Sequence, residues 1–210
     1  MALRAVIFDY GMVLTAPPDP EAWAALKRIS GLSDERLHEL YWGFRHEYDV
    51  GRITGLTFWH KVAREAGISL SAAEFDELND WDARMWTILN PPMLAWHEKV
   101  MQRGLRTAIL SNMCDTIHNR MIELFDWLPR FDVLVWSYVL GIAKPDPAIY
   151  RHVLKELDMI PEEVFFLDDR APNIQAALAL GMRCHQFTTI DNLRADLVNR
   201  RLDRELPLPE

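Results

Sequence analysis

Residues 6–15 read VIFDYGMVLT. The apolar run Val6-Ile7-Phe8 ends at one carboxylate, Asp9, and the chain then turns at Gly11. β-Branched and aromatic residues in unbroken succession mark a strand buried on both faces, as a parallel sheet between helical layers requires. A buried strand that stops at an aspartate delivers that acid to the rim of the sheet. What stands beside it on the rim decides what it can do.

From Pro91-Pro92 onward, helix and strand signals alternate. A helix over 93–104 closes at Gly104, and the strand RTAILS (106–111) follows. A helix over 115–126 leads to FDVLVWS (131–137), and a helix over 147–157 leads to EVFFLDD (163–169). APNIQAALALG (171–181) is a further helix before the strand MRCHQF (182–187). Alternation at this spacing predicts right-handed crossovers and an α/β fold, a Rossmann-like parallel sheet flanked by helices. Residues 17–90 differ: four segments carry apolar residues at helical spacing, with caps at Asp19, Ser33 and Ser71, and no strand signal interrupts them. Five of the eight tryptophans (Trp23, Trp42, Trp59, Trp81, Trp86) fall there and read as core of a small helical bundle. The expected organisation is an α/β core domain over 1–16 and 91–210, interrupted by a helical insert over 17–90.

With 210 residues, half of them hydrophobic, the chain can bury one sizeable core and an accessory lobe. A formal net charge of −8 without a basic stripe argues against a nucleic-acid partner. No apolar run reaches bilayer length, so no membrane partner is expected. Met1-Ala2-Leu3-Arg4 runs straight into the first strand, with no secretory signal, and Cys114 and Cys184 read as free thiols. The expectation is a cytoplasmic protein; the sequence carries no signal for oligomeric state.

In open parallel sheets, ligands bind beyond the carboxyl ends of the strands. Those ends carry Asp9, then Ser111 and Asn112, then Asp168 and Asp169, while the loop GIAKPDP offers Lys144 before a helix start. This set suits phosphoryl transfer. Asp9 and Asp169 can hold Mg²⁺, which prefers octahedral oxygen donors, and the free oxygen of Asp9 can attack phosphorus. Ser111 and backbone N–H groups can bind equatorial phosphate oxygens, with Lys144 supplying positive charge and pairing with Asp9 or Asp168. Singly, each piece has a plain structural reading: a turn aspartate, a proline turn, an N-cap pair. Their order, each at a strand end of one sheet, is what points to chemistry.

At these residues the sequence resembles the haloacid dehalogenase superfamily. IFDYG matches its first motif, ILSN its second, AKPDPAIY its third and FFLDDRAPNI its fourth. The wording is most similar to the branch holding the N-terminal phosphatase domain of soluble epoxide hydrolases and bacterial sugar-phosphate phosphatases. The resemblance implies that the insert over 17–90 is a cap domain and that the substrate is a small phosphorylated metabolite. It implies Asp9 as nucleophile and metal ligand, Gly11 as a carbonyl ligand and Asp169 as the third protein ligand of Mg²⁺. Phosphate contacts are implied for Ser111, Asn112 and Lys144, with Asp168 supporting the metal through water or Lys144.

The departure is Gly11. Most phosphatases of this superfamily place a second aspartate there, which protonates the leaving alcohol and then activates water. Glycine keeps the carbonyl and loses a side chain of a kind worth about 10² to 10⁴ in rate. A substitute has several sources. Arg45, His46, Tyr48 and Asp49 cluster in FRHEYDVG, which reads equally as a solvated helix face, and Arg45 is the residue assigned to substrate. Asp115 and His118 follow the second motif, and Cys114 reads as a small buried side chain. Competing functions are a haloacid dehalogenase, which needs neither acid nor metal, a near-inactive phosphate-binding regulator, and a partner-binding helical lobe.

Overall fold

Five short strands form one parallel sheet in the structure, a computed structural model that describes residues 2–210. They are β1 (Ala5–Phe8), β2 (Arg106–Ser111), β3 (Val133–Trp136), β4 (Val164–Asp168) and β5 (Arg183–Gln186). Their spatial order is β3-β2-β1-β4-β5. The order reverses between β1 and β4, which places the switch-point crevice beside the end of β1. Phe8 lies opposite Ile109 of β2 and Leu167 of β4, so the residues that follow them leave the sheet at one level.

Period-two alternation assigns the two faces. Val6, Phe8, Ile109, Phe165 and Leu167 pack on one side with Trp96 and Val100 of helix α5 (Pro91–Gln102). Ala5, Ile7, Leu110 and Phe166 face the other, against Tyr150 and Val153 of α8 (Pro147–Leu157) and Ala177 of α9 (Ala171–Ala179). Every residue of β1 is fully buried, as its apolar run requires.

Between β1 and α5 run four helices, α1 (Pro20–Ser30), α2 (Asp34–Asp49), α3 (Gly55–Ala66) and α4 (Ala72–Arg84). The expected caps are in place. Asp19 accepts from Glu21 N, Ser33 from Arg36 N, and Ser71 forms a reciprocal capping box with Glu74. α1 packs on α4 and α2 on α3, while α4 also meets α6 (Asp115–Leu124), which follows β2. The two connections to the sheet are tied together: Thr15 and Leu89 form an antiparallel bridge, and Ala16 N, Asp19 N and Asn90 N donate to Ile88, Met85 and Leu14 carbonyls at 2.8–3.0 Å.

Two α-helices lie outside the expected set. Ser137 begins a one-turn helix, α7 (Ser137–Leu140), instead of ending the third strand. Beyond β5 lies α10 (Ile190–Asn199), capped by Thr189, with Leu193 and Leu197 on its buried face. Among the described residues, no helix is long and apolar enough to cross a membrane. Both cysteines are free and buried.

Candidate active site

The hydrogen bond from Asp9 N to Leu167 O, at 2.9 Å, fixes the nucleophile candidate beside the end of β4. Asp9 Oδ1 accepts from Tyr10 N at 2.7 Å and lies 2.9 Å from Lys144 Nζ. Both contacts fall on one oxygen, which leaves Oδ2 with its lone pairs. The chain then makes a wide helical turn over Tyr10–Leu14, and Tyr10 Oη donates to Trp86 O at 2.8 Å. The left-handed residue of this turn is Met12 (φ 61°), not Gly11 (φ −63°, ψ 137°). A β-carbon added at Gly11 would rest 3.5 Å from the Trp86 ring, an ordinary contact. The indole thus borders the space a side chain at this position would enter.

Asp168 is fully buried and its carboxylate is saturated. Oδ1 accepts from Arg170 N at 2.8 Å and Asn173 Nδ2 at 2.9 Å; Oδ2 accepts from Lys144 Nζ at 2.7 Å and the same amide at 3.0 Å. Asn173 is in turn held by Tyr150, whose hydroxyl donates to Asn173 O at 3.0 Å. Asn112 binds the lysine loop at two points. Its Nδ2 donates to Lys144 O at 2.9 Å, and its Oδ1 accepts from Lys144 N at 2.8 Å. This clamp fixes the Lys144 backbone to the end of β2. Ser111 is buried, and its hydroxyl makes only a long, 3.5 Å approach to Asn112 O among the described residues.

Asp9, Asp168 and Asp169 each bring a carboxylate oxygen within 4.8 Å of the others. With Lys144 among them, the group carries a net of two negative charges. Burial pushes the Asp9 carboxyl up to about 7, with Lys144 opposing the rise and Asp168 and Asp169 adding to it. Burial works against the Lys144 ammonium, yet Asp168 and Asp9 hold it above its ordinary value. Burial, then Asp168, raises Asp169 as well. Such a set calls for a compensating dication, and its hard oxygen donors fit Mg²⁺ in type, number and charge.

A cavity of about 460 Å³ opens from this cluster. Asp9, Gly11, Ser111, Asn112, Lys144 and Asp169 line it, and so does Arg45 from the helical insert. Asp168 lies behind Lys144 and does not line it. Arg45, Tyr48 and Asp49 are not a solvated helix face: Arg45 and Tyr48 are buried and Asp49 nearly so, and only His46 is exposed. Arg45 Nε pairs with Asp49 Oδ1 at 2.7 Å, its guanidinium also bonds Tyr41 Oη, and Asp82 Oδ1 lies 3.8 Å away. Tyr41 Oη donates to Asp82 at 2.7 Å. Cys114 is buried near Arg45, and burial pushes its thiol up to about 12. Asp115 bonds Thr116 N, and His118 pairs with Tyr138 Oη at 2.8 Å; neither lines the cavity. Sequence reasoning passed over Asn173, which lies one turn into α9 with its amide turned back to the strand end. It also read Trp42 and Trp86 as core, whereas both line the cavity.

A strand-end aspartate at the switch point, a lysine from a neighbouring loop and paired acids after β4 stand together on one rim of a parallel sheet. The chain belongs to the haloacid dehalogenase-like hydrolase family, whose sequence signature matches residues 3–181. It is 33% identical over 199 residues to bifunctional epoxide hydrolase 2 of Sus scrofa, covering 87% of this chain but 36% of that protein's length. It is 29% identical over 199 residues to a phosphatase of Mycobacterium tuberculosis, covering 88% of this chain and 87% of the other. In fold it is similar to a haloacid dehalogenase-family enzyme of Bacteroides thetaiotaomicron solved with magnesium and inorganic phosphate. That likeness has a TM-score of 0.73 at 21% identity and covers 89% of this chain and 94% of the other.

Proposed function

We propose that the chain is a Mg²⁺-dependent hydrolase of a small phosphorylated metabolite, acting through an aspartyl-phosphate at Asp9. The observation that carries this reading is the three-carboxylate cluster with Lys144 in its midst, in which Asp9 keeps one uncommitted oxygen. Asp9, Asp169 and the Gly11 carbonyl would hold the ion, with Asp168 acting through Lys144. The ion's contribution when bound is to neutralise phosphate charge and present phosphorus to the nucleophile.

The remaining steps belong to the chain's own side chains. Asp9 Oδ2 forms a bond to phosphorus as the ester P–O bond breaks and the leaving oxygen takes the electron pair. Lys144, held by Asp168 and the Asn112 clamp, meets the charge on the phosphoryl oxygens, and the Ser111 hydroxyl donates to one of them. Water then attacks the acyl phosphate, restoring Asp9 and releasing phosphate. Gly11 supplies no proton to the leaving oxygen, so alkyl phosphates turn over slowly and esters with good leaving groups turn over faster.

Residues 17–90 serve in this reading as a cap over a core of 1–16 and 91–210, with Arg45 at its inner face. A cytoplasmic site of action accords with two unpaired thiols. The test is a panel of phosphomonoesters with and without Mg²⁺, run beside a halide-release assay on haloalkanoates. Metal-dependent phosphate release without halide release supports the reading; metal-independent halide release makes the protein a dehalogenase instead.

A further inference from the structure

We infer, on the phosphatase reading above, that the organic part of the substrate is an apolar, aryl group held against Trp42 and Trp86 rather than a sugar or polyol. Two separate features of the cavity lead there.

The first is the composition of its wall away from the acids. The cavity is continuous from Asp9, Ser111, Lys144 and Asp169 to Met12, Trp42, Trp86, Met113 and Ile117. Trp42 lines the cavity while 44% exposed, with the Tyr41 ring edge-on to it at 5.1 Å. A site for a polyol needs free donors and acceptors around each hydroxyl, because a buried hydroxyl left unpaired costs binding. The polar side chains of this wall are few: the Arg45–Asp49 pair and His38, with Arg170 next to the acids. Arg45 is bonded to Asp49 and Tyr41, with Asp82 behind it, and its guanidinium occupies Asp49 Oδ1, leaving Oδ2 as the one free acceptor of this pair. Beyond that one acceptor, recognising hydroxyls would mean loosening a buried ion pair. Indole faces, by contrast, accept flat apolar groups in stacked or edge-on contact.

The second feature is at the reacting end. Gly11 carries no acid, and the space a side chain would enter there is bounded by the Trp86 ring at 3.5 Å. The leaving oxygen therefore departs as an anion. A phenolate, whose conjugate acid has a pKa of about 10 like a tyrosine, departs far more readily than an alkoxide as basic as hydroxide. In the aryl ester, the Asp9 oxygen bonds to phosphorus, the P–O(aryl) bond breaks, and the phenolate keeps the electron pair and takes its proton from water. The ring thus borders the position that lacks an acid and receives the group that does not need one.

The experiment measures binding and turnover separately, on the full chain with Mg²⁺. Binding is read from inhibition by non-hydrolysable phosphonates: methylphosphonate, benzylphosphonate and 2-naphthylmethylphosphonate. Turnover is read from kcat/KM for 2-naphthyl phosphate, acetyl phosphate and a hexose 6-phosphate. Inhibition is expected to tighten at least tenfold from the methyl to the naphthylmethyl compound. That gain should fall below threefold in Trp42→Ala and return in Trp42→Phe, an exposed position where the fold is undisturbed. Trp86→Leu, checked for an unchanged melting temperature, should lose the same gain. 2-Naphthyl phosphate should exceed the hexose phosphate in kcat/KM by at least a hundredfold. Equal inhibition by all three phosphonates, a naphthyl gain that survives Trp42→Ala, or a hexose phosphate turned over as well as the aryl ester would overturn the inference. Failure of every phosphate ester, together with no Mg²⁺-dependent binding of methylphosphonate by calorimetry, would instead remove the phosphatase reading on which it rests.

Discussion

The two halves of this cavity are built on opposite plans. On the sheet side, the polar groups end strands or sit in the loop before α8, and each is held by a fixed partner: Asp9 by Leu167, Lys144 by Asn112, Asp168 by Asn173. On the insert side, Arg45, Asp49, Tyr41 and Asp82 bond to one another across helices, and apolar rings form the exposed wall. The sheet side is charged and unbalanced, which prepares it for a dication and an anion. On the insert side, Arg45 is shared between Asp49 and Asp82 within one bonded network, which leaves the rings to meet the ligand. The contrast teaches that buried charge alone does not mark chemistry; several carboxylates converging on one point do.

The largest effect should follow from removing the sheet-side cation. Lys144→Met should lower kcat/KM by about 10² to 10³, as loss of one charge-stabilising group does. It also strands Asp168, a loss of about 3–5 kcal/mol in stability. In Lys144→Met with Asp168→Asn, denaturant unfolding should recover most of the stability while activity stays lost. Recovery of both would reduce Lys144 to a structural ion-pair partner.

On the insert side, Arg45→Met should cost a similar 3–5 kcal/mol, because it leaves Asp49 and Asp82 buried without their cation. Unfolding curves and KM together sharpen the comparison. Unchanged stability with a raised KM would make Arg45 a free substrate ligand and erase the difference between the two sides.

Away from both walls, His97 of α5 stacks on Phe131 at 3.8 Å and shares a 3.2 Å hydrogen bond with Thr107. Burial lowers its pKa to about 4. The unfolded chain takes up the proton first, so stability is whole above about pH 6.5 and falls as pH drops toward 4, by roughly 3 kcal/mol in all. His97→Phe should flatten that part of the stability-versus-pH curve, and an unaltered curve would place the acid sensitivity elsewhere.

The smallest effect expected is a gain. Gly11 has a φ any residue can adopt and room for a β-carbon. Gly11→Asp should therefore raise alkyl-phosphate hydrolysis by about tenfold or more, with aryl esters little changed. No gain would mean that a residue of the insert already protonates the leaving group.

The sheet side was legible in the sequence and the insert side was not, for a physical reason. A strand end is a fixed address: an apolar run names the strand, and the next residue stands on the rim. Helical periodicity names only a buried stripe. Leu37, Tyr41, Arg45 and Tyr48 recur at such spacing, which marks Arg45 as buried with Tyr41 and Tyr48 without revealing that Asp82 of α4 completes the group. Trp86 against Gly11 joins residues far apart in sequence through the folding of the connections, and no local pattern encodes that contact. Asn173 had a weak signal, a polar amide in the first turn of α9 just after the paired acids. α10 had a clear one, with Thr189 as cap and leucines four residues apart.

The central claim is that Asp9 is the atom donor to phosphorus, and rapid-quench labelling tests it most directly. Enzyme with Mg²⁺ is mixed with ³²P-labelled 2-naphthyl phosphate, quenched in acid within the first turnover, digested and analysed by peptide mass. The expected result is a phosphoryl group on the peptide bearing Asp9, formed before free phosphate appears and missing after EDTA treatment or in Asp9→Asn. Full phosphate release with no labelled peptide, or a label that persists in Asp9→Asn, would contradict the account.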